Sequence, residues 1–220
     1  MSYDAKELRS RVLDMARAGN AGHIACAFSL IEVLAVLHRE HLRYPDDDPE
    51  GPDRDHLVLS KGHGVMALYA CMAERGWLSD SDLDRYLADG TILMGLSDSR
   101  VPGIEVTSGS LGHGLSVGVG LAFAAQRRGS DQRTFVVVGD GEMNEGPIWE
   151  GLLFAAHHRL ERFCVIVDEN GLQAMGTTTE VLDLGDLTAK FTAFGFDAIS
   201  VDGHDESALD EALRSLLGSG

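Results

Sequence analysis

Short runs of apolar residues alternate with helical segments along the second half of the chain. Two such runs lie at 134–139 and 163–169, and a third lies at 196–201. The segments between them place apolar residues at helical spacing. Short apolar strands that alternate with helices are typical of a parallel sheet covered on both faces. The pattern therefore predicts an α/β fold with a doubly wound parallel sheet and helices on both faces.

The first half of the chain is mostly helical by the same criterion, with a short strand at 56–60. Ser29 is the expected N-cap of the second helix. Residues 89–110 are rich in Gly, Ser and Asp, and we expect a long irregular connection, which in compact domains is usually functional. Along the whole chain, helices are predicted over 4–18, 30–42, 64–76, 114–129, 147–160, 184–194 and 205–217.

Composition and charge narrow the class of protein. The 220 residues are 44% apolar, which fits a single soluble domain over 1–220. The net charge of −17 argues against nucleic acid or an anionic membrane as a partner. A phosphorylated ligand would then need a metal ion, a histidine or a helix N-terminus. Because no apolar run reaches the roughly 18 residues of a membrane span, we expect a cytoplasmic protein.

Two polar residues follow neighbouring predicted strands. Asp140 stands between two glycines after the strand at 134–139, and Asn170 follows the strand at 163–169. Because both strands point the same way, both side chains are expected at the same rim of the sheet. A carboxylate, an amide and a backbone carbonyl suit Mg²⁺, which would add ligand phosphates and water. Taken alone, "GDG" is better explained by the cap of a turn or helix.

The two segments together resemble the thiamine diphosphate enzymes, and specifically the N-terminal, diphosphate-binding part of the transketolase family. The resemblance covers residues 5–213. It rests on the stretches "NAGHIACAFSLIEVLAVLH" (20–38), "DHLVLSKGHGVMALYA" (55–70), "PGIEVTSGSLGHGLSVGVGLA" (102–122) and "VGDGEMNEGPIWEGLLFAAHHRLERFCVIVDENGLQAMG" (138–176). It implies a thiamine diphosphate-binding fold and the cofactors thiamine diphosphate and Mg²⁺.

Residue roles are implied by the same resemblance. The expected Mg²⁺ ligands are the side chains of Asp140 and Asn170 and the backbone carbonyl of Leu172. The expected diphosphate contacts are Gly141 and His63, beside the cofactor-binding Asn170. The residues expected to flank the thiazolium and aminopyrimidine rings are Gly109, Ser110 and Leu111. His23 is expected to face the reacting carbons of the substrate, so His23 and His63 are the candidate catalytic residues. Glu145 and Glu150 match acids at the subunit interface that couple paired active sites.

The resemblance also implies a partner. Whole transketolases carry two more domains, so the chain resembles the small subunit of a split transketolase. A separate chain would bring the pyrimidine-binding and C-terminal domains, including the glutamate that activates the cofactor. We expect a heterotetramer of two small and two large subunits. The implied reaction moves a two-carbon ketol unit from a ketose donor to an aldehyde acceptor.

The sequence departs from the family at two places. Transketolases that act on sugar phosphates generally carry "GHP" before "PGIE", whereas this chain has Leu96 and Ser97 there. We therefore expect a modified sugar or another ketone donor. The family pattern also usually continues beyond the last segment matched here, so either the partner compensates or the site is more open.

Two other functions stay open from the sequence. One is another thiamine diphosphate-dependent activity, similar to deoxyxylulose-phosphate synthase or to enzymes that decarboxylate 2-oxoacids. The other is a non-catalytic subunit kept for binding or regulation. The presence of His23, His63, Asp140 and Asn170 together argues against the second.

Overall fold

The fold is built on a three-stranded parallel sheet, seen in a computed structural model that describes residues 1–218. The strands are β1 (His56–Leu59), β2 (Thr134–Gly139) and β3 (Phe163–Asp168), in the order β1-β2-β3. All residues of β1 and β2 are buried, as expected for strands covered on both faces. Residues 219–220 of the predicted domain lie outside the described part of the chain.

Helices and a small hairpin complete the architecture. The helices are α1 (Ala5–Ala18), α2 (Ile24–Phe28), α3 (Ile31–Val36), α4 (Val65–Arg75), α5 (Asp80–Leu83), α6 (His113–Arg128), α7 (Gly146–His157), α8 (Thr178–Leu182), α9 (Leu187–Ala193) and α10 (Glu206–Leu217). Strands β4 (Leu172–Gln173) and β5 (Gly176–Thr177) pair antiparallel just after the sheet. In the described chain no regular element lies between α5 and α6, which confirms the long connection predicted at 89–110.

Alternate residues of β2 enter two different cores. Phe135 and Val137 pack in a cluster with residues of α1, α3, α4 and α10. Val136 and Val138 pack in a second cluster with residues of α6, α7 and α9. Because successive side chains of a strand point to opposite faces, the two clusters lie on opposite faces of the sheet. The prediction of a doubly wound α/β fold is confirmed.

The helix predicted at 30–42 is confirmed, because α3 continues directly into a π-helical turn at Leu37–His41. Two other local predictions are wrong. Ser29 does not cap this helix, because the Ser29 hydroxyl donates to the carbonyl of Cys26 and to Asp168. Residues 196–201, predicted as a strand, pair with no other strand among the described residues.

The carboxyl ends of the three strands lie side by side. Asp140 follows β2 and Asn170 follows β3, while Lys61 and His63 follow β1. Open parallel sheets bind ligands beyond this edge. None of the helices within residues 1–218 has both the length and the apolar content to cross a membrane.

Candidate active site

Asp140 is a buried carboxylate fixed by backbone amides. Its side chain is 2% exposed, Oδ1 accepts from Gly141 N at 2.7 Å, and Oδ2 accepts from Gly171 N at 2.7 Å. Burial raises the pKa of Asp140 above its ordinary value, although these two amides act in the opposite direction. A nearby cation would therefore stabilise the ionised form of this buried carboxylate.

Asn170 and Leu172 approach Asp140 through the turn after β3. Gly171, at φ +75°, adopts the left-handed conformation that glycine tolerates best and donates to Asp140. The Asn170 Oδ1 atom accepts from Leu172 N at 3.0 Å, and Leu172 starts the β4–β5 hairpin. The structure thus brings together the three predicted magnesium ligands. They supply one carboxylate, one amide and one backbone carbonyl.

An ion pair below this turn holds Asn170 in place. Asp168 accepts from Lys61, which is 2% exposed, and its Oδ2 also accepts from Ser29 Oγ at 2.7 Å. The same oxygen accepts from Asn170 Nδ2 at 3.1 Å. Because the amide nitrogen is committed to Asp168, the amide oxygen of Asn170 faces the other way. Sequence reasoning missed Lys61 and Asp168, although both stand inside the quoted motifs.

His23 and His63 face each other beside the same edge. Their ring centroids are 5.5 Å apart, with the ring planes tilted by 52°. His63 is half-buried, and burial lowers its pKa to about 4, with Lys61 and His23 contributing in the same direction. His63 is therefore neutral at pH 7. His23 is exposed and stands at φ 61°, in the left-handed region, just before α2.

The connection before α6 brings Gly109, Ser110 and Leu111 to this edge of the sheet. Ser108 anchors the connection, because its hydroxyl donates to Leu59 O at 2.8 Å. A side chain on Gly109 would come within 2.7 Å of Leu96 Cδ1, so Leu96 packs directly against this stretch. Gly109 and Ser110 are exposed and Leu111 is half-buried. The exposed face of the connection is free to contact a ligand.

Glu142 ties three of these loops together. This carboxylate is 2% exposed and accepts from Ser60 Oγ at 2.5 Å, Gly112 N at 2.8 Å and Gly139 N at 3.2 Å. The three donors belong to the end of β1, the start of α6 and the end of β2. Sequence reasoning missed this role, because each donor lies on a different element.

Glu145 and Glu150 lie apart from the buried groups. Both are exposed, Glu145 just before α7 and Glu150 within it. Glu145 packs over Gly112, where a side chain would approach Glu145 Cβ to 2.7 Å. Their exposure leaves both carboxylates available to a neighbouring chain.

A doubly wound sheet with an oxygen-rich site at its carboxyl edge defines an α/β protein that binds a phosphorylated cofactor. Similarity to known proteins identifies the family within this class. Residues 2–216 match the family "Transketolase, thiamine diphosphate binding domain". The chain belongs to this family, which confirms the expected family, fold and enzyme class, a thiamine diphosphate-dependent transferase.

Two relatives are named as single subunits of transketolases. The chain is 38% identical to one subunit of the apulose-4-phosphate transketolase of Phocaeicola vulgatus, over 98% of this chain and 77% of the relative. It is 39% identical to the 6-deoxy-6-sulfo-D-fructose transketolase subunit SqwG of Clostridium sp., over 98% of this chain and 80% of the relative. Both names agree with the predicted N-terminal subunit of a two-component transketolase.

Solved structures agree with the fold. The transketolase of Leishmania mexicana superposes with a TM-score of 0.88 at 34% identity, over 97% of this chain. That of Campylobacter jejuni superposes with a TM-score of 0.90 at 30% identity, over 98% of this chain. The chain spans 34% and 35% of these two proteins, about a third of their length.

Proposed function

We propose that this chain holds the magnesium diphosphate of thiamine diphosphate and, with a partner subunit, transfers a two-carbon ketol unit from a ketose to an aldehyde. The observation that carries the proposal is the buried Asp140 carboxylate beside Asn170, on adjacent strand ends of a transketolase-family domain. Within residues 1–218, Asp140 forms no ion pair with a basic side chain, so its charge is left for a cation to neutralise.

The residues present fit a magnesium ion and a diphosphate. Oxygen atoms of Asp140, Asn170 and Leu172 are the ligand types that Mg²⁺ prefers. Gln173 Nε2 is buried without a hydrogen-bond partner among the described residues, next to Gly141. A Cβ at Gly141 would come within 2.8 Å of Gln173 Cβ, so only glycine leaves the backbone amide this close to Gln173. These are features of a site that completes its contacts with a ligand.

When bound, thiamine diphosphate supplies the electron sink that stabilises the carbanion of the transferred unit. The chain's own residues position it. Gly141 and the neutral His63 would contact the diphosphate, and Gly109, Ser110 and Leu111 would line the rings. His23 is exposed beside His63, where its imidazole could exchange a proton with a substrate hydroxyl.

A partner subunit would complete the site. The two relatives described above are each named as one subunit of a transketolase. We propose a heterotetramer in which Glu145 and Glu150 lie at the interface and link paired sites by proton transfer. The partner would add the pyrimidine-binding half and the glutamate that activates the cofactor.

The donor is proposed to be a modified sugar. The two relatives are named for apulose 4-phosphate and 6-deoxy-6-sulfo-D-fructose, neither of which is an ordinary pentose phosphate. Leu96 is 44% exposed and packs against Gly109, so it presents an apolar surface where many transketolases present a histidine.

The cofactor site is tested by thermal unfolding of the assembled subunits. Thiamine diphosphate with Mg²⁺ should raise the melting temperature in proportion to the logarithm of its concentration. Asp140→Ala should abolish the rise, whereas Asp53→Ala, at an exposed acid in the loop before β1, should preserve it. An unchanged rise in Asp140→Ala would refute the assignment of the metal site. Turnover with pyruvate and release of carbon dioxide, without ketol transfer, would favour the decarboxylating alternative.

A further inference from the structure

Asp168 gathers three hydrogen-bond donors on a single oxygen atom beside the predicted metal ligands. Its Oδ2 atom accepts from Ser29 Oγ at 2.7 Å, from Asn170 Nδ2 at 3.1 Å and from Lys61 Nζ. The side chains of Lys61 and Asp168 are 2% and 10% exposed, so the ion pair is shielded from water. The three donors belong to the segments that follow α2, β3 and β1, and one carboxylate oxygen joins all of them.

The Asn170 side chain has two chemically different ends. Its oxygen accepts from Leu172 N at 3.0 Å, and its nitrogen donates to Asp168. Only the oxygen can bind a cation such as Mg²⁺, because the amide nitrogen carries two hydrogens and acts as a donor. An amide oxygen has two lone pairs, so the bond from Leu172 leaves one of them for a cation. The position and orientation of the amide therefore decide whether Asn170 can be a ligand.

An ionised carboxylate suits the nitrogen end of this amide. A carboxylate has acceptors only, so it binds the nitrogen end and offers nothing to the oxygen end. A bond to an ionised acceptor is also stronger than a bond between neutral groups. Lys61 balances the charge that a shielded carboxylate would otherwise carry alone, and Ser29 holds the same oxygen from the side of α2. The network thus fixes one end of Asn170 and leaves the other end for a ligand.

We propose that Asp168, together with Lys61 and Ser29, is a positioning group that fixes the Asn170 amide with its oxygen toward the cation. The inference rests on the proposed function, because it takes Asn170 to be a ligand of Mg²⁺. Asp168 acts through Asn170 and is not itself assigned as a ligand. Partners that orient a metal ligand from behind typically change metal affinity by about 10- to 100-fold when they are removed.

The competing role for this network is support of the fold, since the ion pair also joins the carboxyl ends of β1 and β3. Removal of one partner of a shielded ion pair destabilises a protein in either case. Replacement of both partners by apolar residues of similar volume is often neutral or stabilising. Lys61→Met combined with Asp168→Leu, the apolar pair, therefore removes the acceptor of Asn170 with little loss of stability expected.

The test is calorimetric titration of the assembled subunits with Mg²⁺ at a fixed concentration of thiamine diphosphate. The apolar pair should bind Mg²⁺ about tenfold or more weakly than the original chain. Lys61→Met combined with Asp168→Asn is the matched control, because it carries the same net charge and keeps an oxygen that can accept from Asn170. This control should recover part of the lost affinity. Urea unfolding of each variant measures its stability separately.

A double-mutant cycle shows whether Asp168 acts through Asn170. Asn170→Ala should itself weaken the binding of Mg²⁺. The apolar pair should then weaken it further by less than about twofold, because the side chain that it positions is gone. If the apolar pair does not fold, Asp168→Asn alone takes its place in the cycle, since this change preserves the shape of the side chain.

Two results would overturn the proposal. One is binding of Mg²⁺ by the apolar pair that matches binding by the original chain. The other is a loss of affinity that is just as large when residue 170 is already alanine, which would assign the network to the fold. Neither result affects the proposed function. That function fails separately if the original subunits do not bind thiamine diphosphate with Mg²⁺, or if Asp140→Ala binds both normally.

Discussion

Single buried residues hold the candidate site in shape, and Glu142 shows how. Its carboxylate accepts from Ser60, Gly112 and Gly139, so one side chain positions three loops that carry cofactor-facing residues. A carboxylate without a cation is retained in a core only when its hydrogen bonds are satisfied. Glu142 is therefore a positioning residue of the site.

Glu142→Ala should destabilise the chain by about 3 kcal/mol, because it leaves three donors without an acceptor. It should also weaken the binding of thiamine diphosphate by more than this loss of stability explains. Glu142→Gln should retain part of the stability and part of the cofactor affinity. Urea unfolding and cofactor titration measure the two effects. Glu161→Ala, at an exposed acid, is the control. A change below about 0.5 kcal/mol in Glu142→Ala would show that the loops hold without the carboxylate.

His38 is a buried residue whose polar atoms lack hydrogen-bond partners among the described residues. It is 4% exposed, stacks on Tyr3 and Tyr44 with centroids at 5.7 Å and 6.2 Å, and neither ring nitrogen has a partner among the described residues. Burial lowers its pKa from 6.5 to about 3, and Arg75 acts in the same direction. His38 is therefore protonated below about pH 6.5 in the unfolded chain, but only below about pH 3 in the folded chain.

His38→Phe should stabilise the chain at pH 7 by about 1 kcal/mol, because it removes two unsatisfied polar atoms. As the pH falls from about 6.5 to 3, His38 should lower the free energy of unfolding of the original chain by up to about 1.4 kcal/mol per pH unit. The variant should lack this contribution. Urea unfolding at about pH 7 and about pH 5 separates the two chains. His157→Phe, at an exposed histidine, is the control variant.

At the scale of elements, a local pattern fixes what a segment prefers but not what it pairs with. Strands β1, β2 and β3 were predictable because each is a short apolar run, and each pairs with another such strand in the sheet. Residues 196–201 carry the same pattern but find no strand to pair with in the described chain. Ser29 was misassigned for a related reason, since a hydroxyl that could cap a helix instead reaches Asp168, 139 positions away.

Helix α6 gives a matched pair of glycines for testing element packing. A Cβ on Gly118 would overlap Val136 Cγ2, so α6 lies directly against β2 there, whereas a Cβ on Gly120 would meet no described atom within 4 Å. Gly118→Ala should destabilise the chain by about 1–3 kcal/mol through overpacking. Gly120→Ala should stabilise it by about 0.5–1 kcal/mol, because alanine favours the helix.

Urea unfolding of the two variants measures both changes in one helix. Equal effects would mean that α6 moves away from the sheet and absorbs the added methyl group at Gly118. Changes in stability of opposite sign would confirm that position 118 is glycine because α6 lies close to β2 there, and not because of helix propensity.

At the scale of the whole molecule, the sequence was sufficient for fold class and family because four ordered motifs agree over most of the chain. It was insufficient for the contacts that hold those motifs together. The Lys61–Asp168 pair spans 107 positions of sequence, and Glu142 bonds to Gly112 and Ser60 across 30 and 82 positions. Such contacts form only in the folded chain. The metal ligands could be predicted, but their supports could not.

Helix α7 leaves two large apolar residues exposed to solvent. Ile148 and Leu152 are buried against the sheet, but Leu153 is 58% exposed and Phe154 42% exposed on the other side. A partner subunit is proposed for this chain, and contiguous exposed apolar residues are typical of interfaces. Leu153→Glu should therefore weaken assembly with the partner by about tenfold or more, since it buries an unpaired charge.

Sedimentation velocity of mixed subunits measures this loss of assembly. The variant should unfold in urea within about 0.5 kcal/mol of the original chain, because Leu153 adds little to the fold by itself. Leu182→Glu is equally exposed and lies outside α7, so it should assemble normally. Normal assembly by Leu153→Glu would place the partner on another surface. The exposed acids Glu145 and Glu150, which flank the same face, would then lose their proposed place at the interface.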